Sequence, residues 1–165
     1  MKTLYAMRHA KSDWSGALAD FDRPLNRRGE KDTPRMARFL GAWGAPEMLL
    51  SSPAQRARQT ALGLVACLGG DEETVRFEPR LYGADPDTLG DVAAAAGADS
   101  ESLLLVAHNP GMEDWVRQLS GAKVRMPTAA IACIALDIPT WEALPEATGQ
   151  LHWLVTPKLV KAMKR

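Results

Sequence analysis

The stretch Thr3-Leu4-Tyr5-Ala6-Met7-Arg8-His9 joins a short apolar run to two basic residues. Residues 3–7 have the length and the apolar character of a buried β-strand. Arg8 and His9 would then stand at the carboxyl end of this strand, where open α/β sheets bind their ligands. This one stretch therefore predicts both a buried strand and part of a functional site.

Four further apolar runs have the character of strands, and helical patterns separate several of them. These runs are residues 48–50, 103–107, 130–136 and 151–155. Alternating strands and helices favour an α/β sandwich, in which helices cover the faces of a sheet. The length of 165 residues suits one globular core, so we predict a single domain over residues 1–165.

The apolar runs at residues 48–50 and 103–107 each lead into a helix start signal. Ser52 is predicted to cap a helix that has Pro53 at its first position. Asn109 is predicted to cap a helix that has Pro110 at its first position. Both helix N-termini would lie at the carboxyl end of a strand, where their free backbone N–H groups suit a phosphate.

Two further helices follow from the sequence pattern. Apolar residues recur with helical spacing over residues 36–43 and mark one buried helical face. Pro34 is predicted to start or kink this helix, which ends before Gly44. A short alanine-rich helix is predicted from Pro86 to Ala96.

The charge balance argues against a polyanionic partner. Lys plus Arg number 20 and Asp plus Glu number 20, so no global basic field would attract nucleic acid or an anionic membrane. The apolar run at residues 3–7 is too short for a signal-peptide core or a membrane span. We therefore predict a cytoplasmic protein that binds its anionic ligand locally.

Three polar clusters at strand ends contain two histidines and two arginines. Arg8 and His9 follow the first predicted strand, and His108 follows the strand predicted at residues 103–107. Arg56 lies near a helix start, and its side chain can lean toward the same crevice. Arginine binds phosphate through paired hydrogen bonds, and a neutral imidazole can attack phosphorus to form a phosphohistidine. We predict a phosphate site with a histidine nucleophile, and we predict no metal site and no cofactor.

These motifs resemble the histidine phosphatase superfamily, also called the phosphoglycerate mutase-like family. The resemblance rests on Arg8-His9-Ala10, on residues 51–61 and on residues 106–111. Within the superfamily the chain is similar to the small SixA-like phosphohistidine phosphatases at residues 8–14, 22–29 and 80–84. The resemblance implies a three-layer α/β/α sandwich with a mostly parallel central sheet.

The resemblance also implies roles for five residues of this chain. His9 is implied as the nucleophile, and His108 as the second catalytic histidine. Arg8 and Arg56 are implied to bind the phosphoryl group. Arg23 is implied as an additional phosphate ligand.

Two departures from the superfamily pattern bear on the substrate. Ala10 replaces a glycine, and its side chain is expected to narrow the approach of the backbone to the phosphate. Leu81-Tyr82-Gly83 stands where mutases and sugar phosphatases carry a glutamate acid. An alkoxide leaving group needs a proton from such an acid, whereas imidazole leaves a phosphohistidine readily once it is protonated. The second departure favours an N–P substrate, with Glu78 and Asp85 as alternative acids.

The leading hypothesis is a metal-independent phosphatase that forms a phospho-His9 intermediate and acts on a phosphohistidine-bearing protein. One alternative is a phosphomonoesterase or mutase that acts on a small phosphorylated metabolite. Another, from a different class, is a module that binds a phosphorylated ligand without turning it over. Such a module would not need two histidines and two arginines, so their presence favours an enzyme. Trp14 is predicted to pack over the first loop rather than to form a pocket rim.

Overall fold

The structure is a computed structural model that describes residues 1–96 and 98–164. Its strands are β1 (Lys2–Arg8), β2 (Met48–Ser51), β3 (Arg76–Phe77), β4 (Ser102–Ala107), β5 (Ile131–Leu136) and β6 (Gly149–Val155). Its α-helices are α1 (Arg27–Trp43), α2 (Gln55–Leu68), α3 (Pro86–Ala96), α4 (Gly111–Ser120) and α5 (Pro157–Met163). Short 3₁₀ helices lie at Asp20–Asp22, Glu72–Thr74, Pro79–Leu81 and Trp141–Glu146. Within these residues, no helix has both the length and the apolar sequence that crossing a membrane requires.

One six-stranded sheet in the described part of the chain has the order β3-β2-β4-β1-β5-β6. The pairs β3–β2, β2–β4 and β4–β1 are parallel, whereas β5 runs antiparallel to both β1 and β6. Helices cover both faces, so the predicted three-layer sandwich with a mostly parallel sheet is confirmed. All five strands predicted from the sequence occur, with ends that shift by one or two residues.

Two apolar cores, one on each face of the sheet, hold the layers together. Successive side chains of a strand point to opposite faces, so neighbouring residues of β1 and β4 enter different cores. Leu4 and Leu103 pack with α3 and α4 on one face. Tyr5 and Leu104 pack with α1, α2 and α5 on the other face. Full burial of a side chain of this size contributes about 2 kcal/mol, so these alternating runs stabilise the central strands.

The register of the central strands brings three polar segments to one edge of the sheet. Arg8 is aligned with Ala107, and Ser51 is aligned with Val106. The residues that follow these strand ends are therefore neighbours across β2, β4 and β1. This is the edge at which parallel sheets bind ligands.

The start of α1 differs from the sequence prediction. The helix begins at Arg27 and contains Pro34 in its interior. Asn26 caps it, because the Asn26 side chain accepts a hydrogen bond from Gly29 N at 2.9 Å. The prediction gave weight to the proline and overlooked this cap.

The predicted caps of α2 and α4 are wrong. α2 begins at Gln55 and α4 at Gly111, each without a side-chain cap. Ser52 Oγ instead lies against His108, and Asn109 Nδ2 donates to Met126 O at 3.0 Å. Both polar residues are held by distant partners, which local sequence rules do not contain. The short helix predicted from Pro86 to Ala96 is confirmed as α3.

Candidate active site

A cavity of about 240 Å³ opens at the carboxyl ends of β1 and β4. All five residues singled out by the sequence line it, namely Arg8, His9, Arg23, Arg56 and His108. The other described residues in its wall are Lys11, Ser12, Trp14, Asp20, Asn109 and Thr128. Residues 1–96 and 98–164 contain no group of three or more His, Cys, Asp or Glu side chains that could hold a metal ion. A wall rich in cationic donors suits an anion of the size of a phosphoryl group.

His9 presents an unprotonated ring nitrogen to the cavity. Its Nδ1 lies 2.8 Å from the carbonyl oxygen of Ala10, which can only accept a hydrogen bond. Nδ1 therefore carries the proton, and Nε2 is unprotonated and has a lone pair. Arg56 Nε donates to this Nε2 at 3.2 Å. The tautomer of His9 thus suits a nucleophile that attacks through Nε2.

Arg56 connects both histidines to the rest of the cavity. It lies in the first turn of α2, and its side chain leans past the helix start and is only 6% exposed. Nη2 donates to His108 Nδ1 at 3.3 Å, since a guanidinium has no acceptor. Nη1 donates to the carbonyl oxygen of Asp20 at 2.7 Å, and Nη2 donates to Asp20 Oδ2 at 3.1 Å. Each nitrogen of the guanidinium is therefore directed at a group of the site.

His108 is oriented from both sides of its ring. Because Nδ1 accepts from Arg56, Nε2 carries the proton and donates to Ser52 Oγ at 2.7 Å. The rings of His9 and His108 lie 5.1 Å apart between centroids. Arg56 thus fixes the tautomer of His108, and the Ser52 hydroxyl that was expected to cap a helix accepts the hydrogen bond from Nε2.

Arg23 lies under the mouth of the cavity and is only 6% exposed. Its Nη1 donates to Ser12 Oγ at 2.6 Å, and its Nη2 donates to Asp20 Oδ1 at 3.0 Å. The guanidinium carbon lies 3.5 Å from the centroid of the Trp14 ring. Trp14 itself is 70% exposed and lines the cavity, so its predicted packing over the loop is wrong. A cation–π contact holds the tryptophan at the rim instead.

Arg8 has a buried nitrogen, Nε, without a hydrogen-bond partner among the described residues. Its Nη1 donates to the carbonyl oxygen of Met126 at 3.1 Å. An unpaired buried donor costs about 1–3 kcal/mol, which an oxygen of a bound anion would recover.

Ala10 does not narrow the cavity, contrary to the sequence expectation. The residue is fully buried, and its side chain packs in the apolar core beneath α1 and α2. Its main-chain N–H donates to Thr60 Oγ1 at 3.0 Å. A methyl group at this position therefore points into the core, where it leaves the space for a phosphoryl group unchanged.

Burial keeps both histidines neutral. It lowers the pKa of His9 to about 3, and the charges of His108, Arg56 and Arg8 act in the same direction. Burial also lowers the pKa of His108 to about 4, with Arg56 as the next cause and Asp20 acting against it. His9 is therefore unprotonated at neutral pH, as a nitrogen nucleophile must be.

This neutrality predicts a loss of stability in mild acid. The unfolded chain protonates His9 near pH 6.5, whereas the folded chain keeps it neutral down to about pH 3, so acid favours unfolding between these values. From pH 7 to pH 5 the expected loss from His9 alone is about 2 kcal/mol. Urea unfolding at both pH values should show His9→Gln losing less stability than the wild type by about this amount. An equal loss in both proteins would contradict the lowered pKa.

The cavity also contains a carboxylate that the sequence reasoning did not single out. Asp20 is the acidic member of the described wall, and its Oδ2 accepts from the Tyr82 hydroxyl at 2.6 Å. Hydrogen bonds from Tyr82, Arg23 and Arg56 hold the pKa of Asp20 far below its usual range. The spacing of Asp20 and Arg23, opposite charges three residues apart, was the available signal.

The two alternative acids named from the sequence lie elsewhere. Glu78 Oε1 accepts from the main-chain and side-chain nitrogens of Arg80. Asp85 Oδ1 accepts from Thr88 N at 2.9 Å, at the start of α3. Neither carboxylate belongs to the described wall of the cavity.

The fold and the cavity together define a class of α/β sandwich in which histidines and arginines surround an anion site at the carboxyl edge of the sheet. The chain belongs to the histidine phosphatase superfamily, branch 1, whose family model matches residues 4–89. This range contains Arg8, His9, Arg23 and Arg56, whereas His108 lies beyond it. The protein is therefore a hydrolase of the phosphatase class.

The chain is similar to one curated protein and to two solved structures in particular. A chloroplastic protein of Arabidopsis thaliana is 31% identical over 162 residues, which cover 92% of this chain and 74% of that protein. The SixA protein of Nakamurella multipartitia is 28% identical with a TM-score of 0.82, over 94% of this chain and 96% of that one. The protein histidine phosphatase SixA in complex with tungstate is 26% identical with a TM-score of 0.82, over 96% and 99% of the two chains. The chain is a SixA-like histidine phosphatase.

Proposed function

We propose that the protein hydrolyses phosphohistidine in a partner protein, without a metal ion, through a phosphohistidine intermediate on His9. The observation that carries the proposal is the unprotonated Nε2 of His9, which accepts from Arg56 in a cavity walled by arginines. The similarity to the protein histidine phosphatase SixA supports the choice of substrate.

The first step is the transfer of the phosphoryl group to the enzyme. His9 Nε2 attacks phosphorus as the bond from phosphorus to the substrate nitrogen breaks, and that electron pair returns to the substrate imidazole. The new phosphoimidazolium keeps its proton on Nδ1, where the Ala10 carbonyl stabilises the positive charge. Arg8, Arg23 and Arg56 are proposed to neutralise the equatorial oxygens of the transferred group.

The second step is hydrolysis of the phospho-enzyme. Water attacks phosphorus from the mouth of the cavity, the bond to Nε2 breaks, and its electron pair restores neutral His9. The water proton leaves with the phosphate. We propose that His108 stabilises both transfers, since its ring lies beside that of His9 and shares Arg56 with it.

The composition of the cavity also favours phosphohistidine over phosphate esters as the substrate. An alkoxide leaving group needs a proton from a nearby acid. The carboxylate of Asp20 is held ionised, and Glu78 and Asp85 lie away from the site. A protonated phosphohistidine carries its own proton and leaves as neutral imidazole. The described wall therefore favours a phosphohistidine over a sugar phosphate or a phosphoglycerate.

Three further proposals concern the domain organisation, the cellular location and the partners of the protein. We propose that residues 1–165 act as a single domain, which the one six-stranded sheet of the described residues supports. We also propose a cytoplasmic location and a partner that carries phosphohistidine, with no nucleic-acid partner. The equal numbers of acidic and basic residues support the last point.

The proposal is tested by phosphate release from a phosphohistidine-bearing protein, sugar phosphates and phosphoglycerates, with a chelator present. The expected result is a kcat/KM for the phosphohistidine protein about 100-fold or more above that for the esters, since the esters lack a proton donor. Preference for an ester would overturn the proposed substrate and indicate a phosphomonoesterase. Binding without turnover of any substrate would indicate a phospho-ligand binding module.

A further inference from the structure

The direction of attack places the leaving group at the mouth of the cavity. His9 Nε2 lies against Arg56 inside the cavity, and in-line displacement puts the departing atom on the far side of phosphorus. Four partly exposed residues adjoin the cavity and are called the rim here: two of them line it, and the other two are connected to these through a hydrogen bond and a ring contact. They are Trp14, Asp20, Phe21 and Tyr82.

The rim contains an anchored carboxylate. The Asp20 side chain is 49% exposed, so it is accessible from the mouth although it touches two buried arginines. The Tyr82 hydroxyl donates a hydrogen bond to Asp20 Oδ2 at 2.6 Å and holds the carboxylate in place. Since the hydrogen bonds to Asp20 keep its pKa far below the usual range, this carboxylate acts as an acceptor. Oδ1 accepts from Arg23, and Oδ2 accepts from Arg56 and Tyr82, so the N–H of a ligand would replace one of these donors.

The rim also contains exposed aromatic rings. Phe21 and Tyr82 are each 40% exposed and meet edge to face, with centroids 5.1 Å apart. The Tyr82 ring in turn lies 5.5 Å from that of His108. The Trp14 ring stacks on the guanidinium of Arg23, which also donates to Asp20. Exposed aromatic side chains beside a polar cavity are typical of a surface that binds a flat ring.

We infer that this rim is a subsite for the leaving group, in which Asp20 accepts a hydrogen bond from the ring N–H of a protonated phosphohistidine and the aromatic side chains contact the ring. This subsite rests on the proposed function, and Asp20 is the residue in it that determines substrate specificity. Asp20 favours the protonated ring, whose N–P bond breaks with its electron pair moving to nitrogen. The departing imidazole is then neutral and retains the proton that Asp20 bound. The same charge repels a substrate with a carboxylate at this position, such as a phosphoglycerate.

The charge of Asp20 is tested with Asp20→Asn and two aromatic substrates. Phosphohistidine presents a ring N–H, whereas p-nitrophenyl phosphate loses a phenolate that needs no proton and offers no N–H. The ratio of kcat/KM for phosphohistidine to that for p-nitrophenyl phosphate is expected to fall about tenfold or more, because a charge-assisted hydrogen bond is lost for one substrate alone. An equal change for both would overturn the subsite, since it would show that Asp20 only positions the arginines.

A matched control lies in the same 3₁₀ helix. Asp22 is exposed, and no side-chain hydrogen bond or ion pair of Asp22 occurs within residues 1–96 and 98–164. Asp22→Asn removes the same charge two positions away and is expected to leave the ratio unchanged. A similar fall in Asp22→Asn would show a general field effect and would overturn the role of Asp20.

The aromatic part of the subsite has its own test, which also applies if Asp20→Asn fails to fold. Phe21→Ala is expected to raise the KM for phosphohistidine about threefold or more and to leave the KM for phosphoramidate, an N–P compound without a ring, unchanged. Equal effects on both would overturn the ring contact. Turnover of p-nitrophenyl phosphate by the wild type without turnover of phosphohistidine would instead refute the proposed function itself.

Discussion

His9→Ala is expected to reduce turnover of phosphohistidine by about 10⁴-fold or more, because the variant lacks the nitrogen that forms the intermediate. In the wild type, a brief reaction with substrate followed by alkaline quench should leave a phosphoryl group on His9 that mass spectrometry can locate. The variant should carry none. Its cavity retains the arginines, so it should still bind inorganic phosphate.

The control for this prediction is the third histidine of the chain. His152 lies in β6, is exposed, and stands outside the described wall of the cavity. His152→Ala is expected to keep full activity and the same phospho-enzyme signal. If His9→Ala retained more than about one per cent of the wild-type rate, the nucleophile would have to be a different residue.

Arg56→Lys is expected to lower kcat/KM by about 10³-fold although the positive charge is kept. The guanidinium of Arg56 donates simultaneously to His9 Nε2, to His108 Nδ1 and to Asp20. An ammonium group is a single point of charge and cannot span these partners. Steady-state kinetics with p-nitrophenyl phosphate and calorimetric titration with inorganic phosphate would measure the losses in rate and in affinity.

Arg58→Lys provides the matched control for this substitution. Arg58 lies two positions further along α2, is exposed, and its guanidinium carbon lies 4.3 Å from the centroid of the Phe77 ring. Its replacement is expected to change kcat/KM by less than twofold, as for an exposed side chain away from the site. A loss below tenfold in Arg56→Lys would show that charge alone suffices at this position and would contradict the bridging role.

The helix starts show where local rules are insufficient. Ser52 and Asn109 have the residue type of a cap, yet their side chains bind His108 and Met126. A cap is worth about 1 kcal/mol, so a good distant partner readily replaces it. At α1 the cap does occur, but at Asn26, which the prediction had not singled out as a helix start.

The rim residues show the same limit for the site. Asp20 and Tyr82 are 62 positions apart, and each alone reads as an ordinary surface residue. The Asp20 carboxylate is held in place only because Tyr82, Arg23 and Arg56 all donate hydrogen bonds to it in the folded chain. The side chain of Trp14 is likewise placed by the guanidinium beneath it, and no periodicity in the sequence reports that contact.

The sequence by itself determined the α/β sandwich, the order along the chain of every strand except the two-residue β3, and the positions of Arg8, His9, Arg56 and His108. Apolar runs and strand ends are local features, and burial of those runs outweighs every other local preference. The tertiary structure alone decided the tautomers of the two histidines, their lowered pKa values, and the entry of Asp20 into the cavity. These properties depend on hydrogen bonds and burial between residues far apart in the chain, which exist only once the sheet has formed.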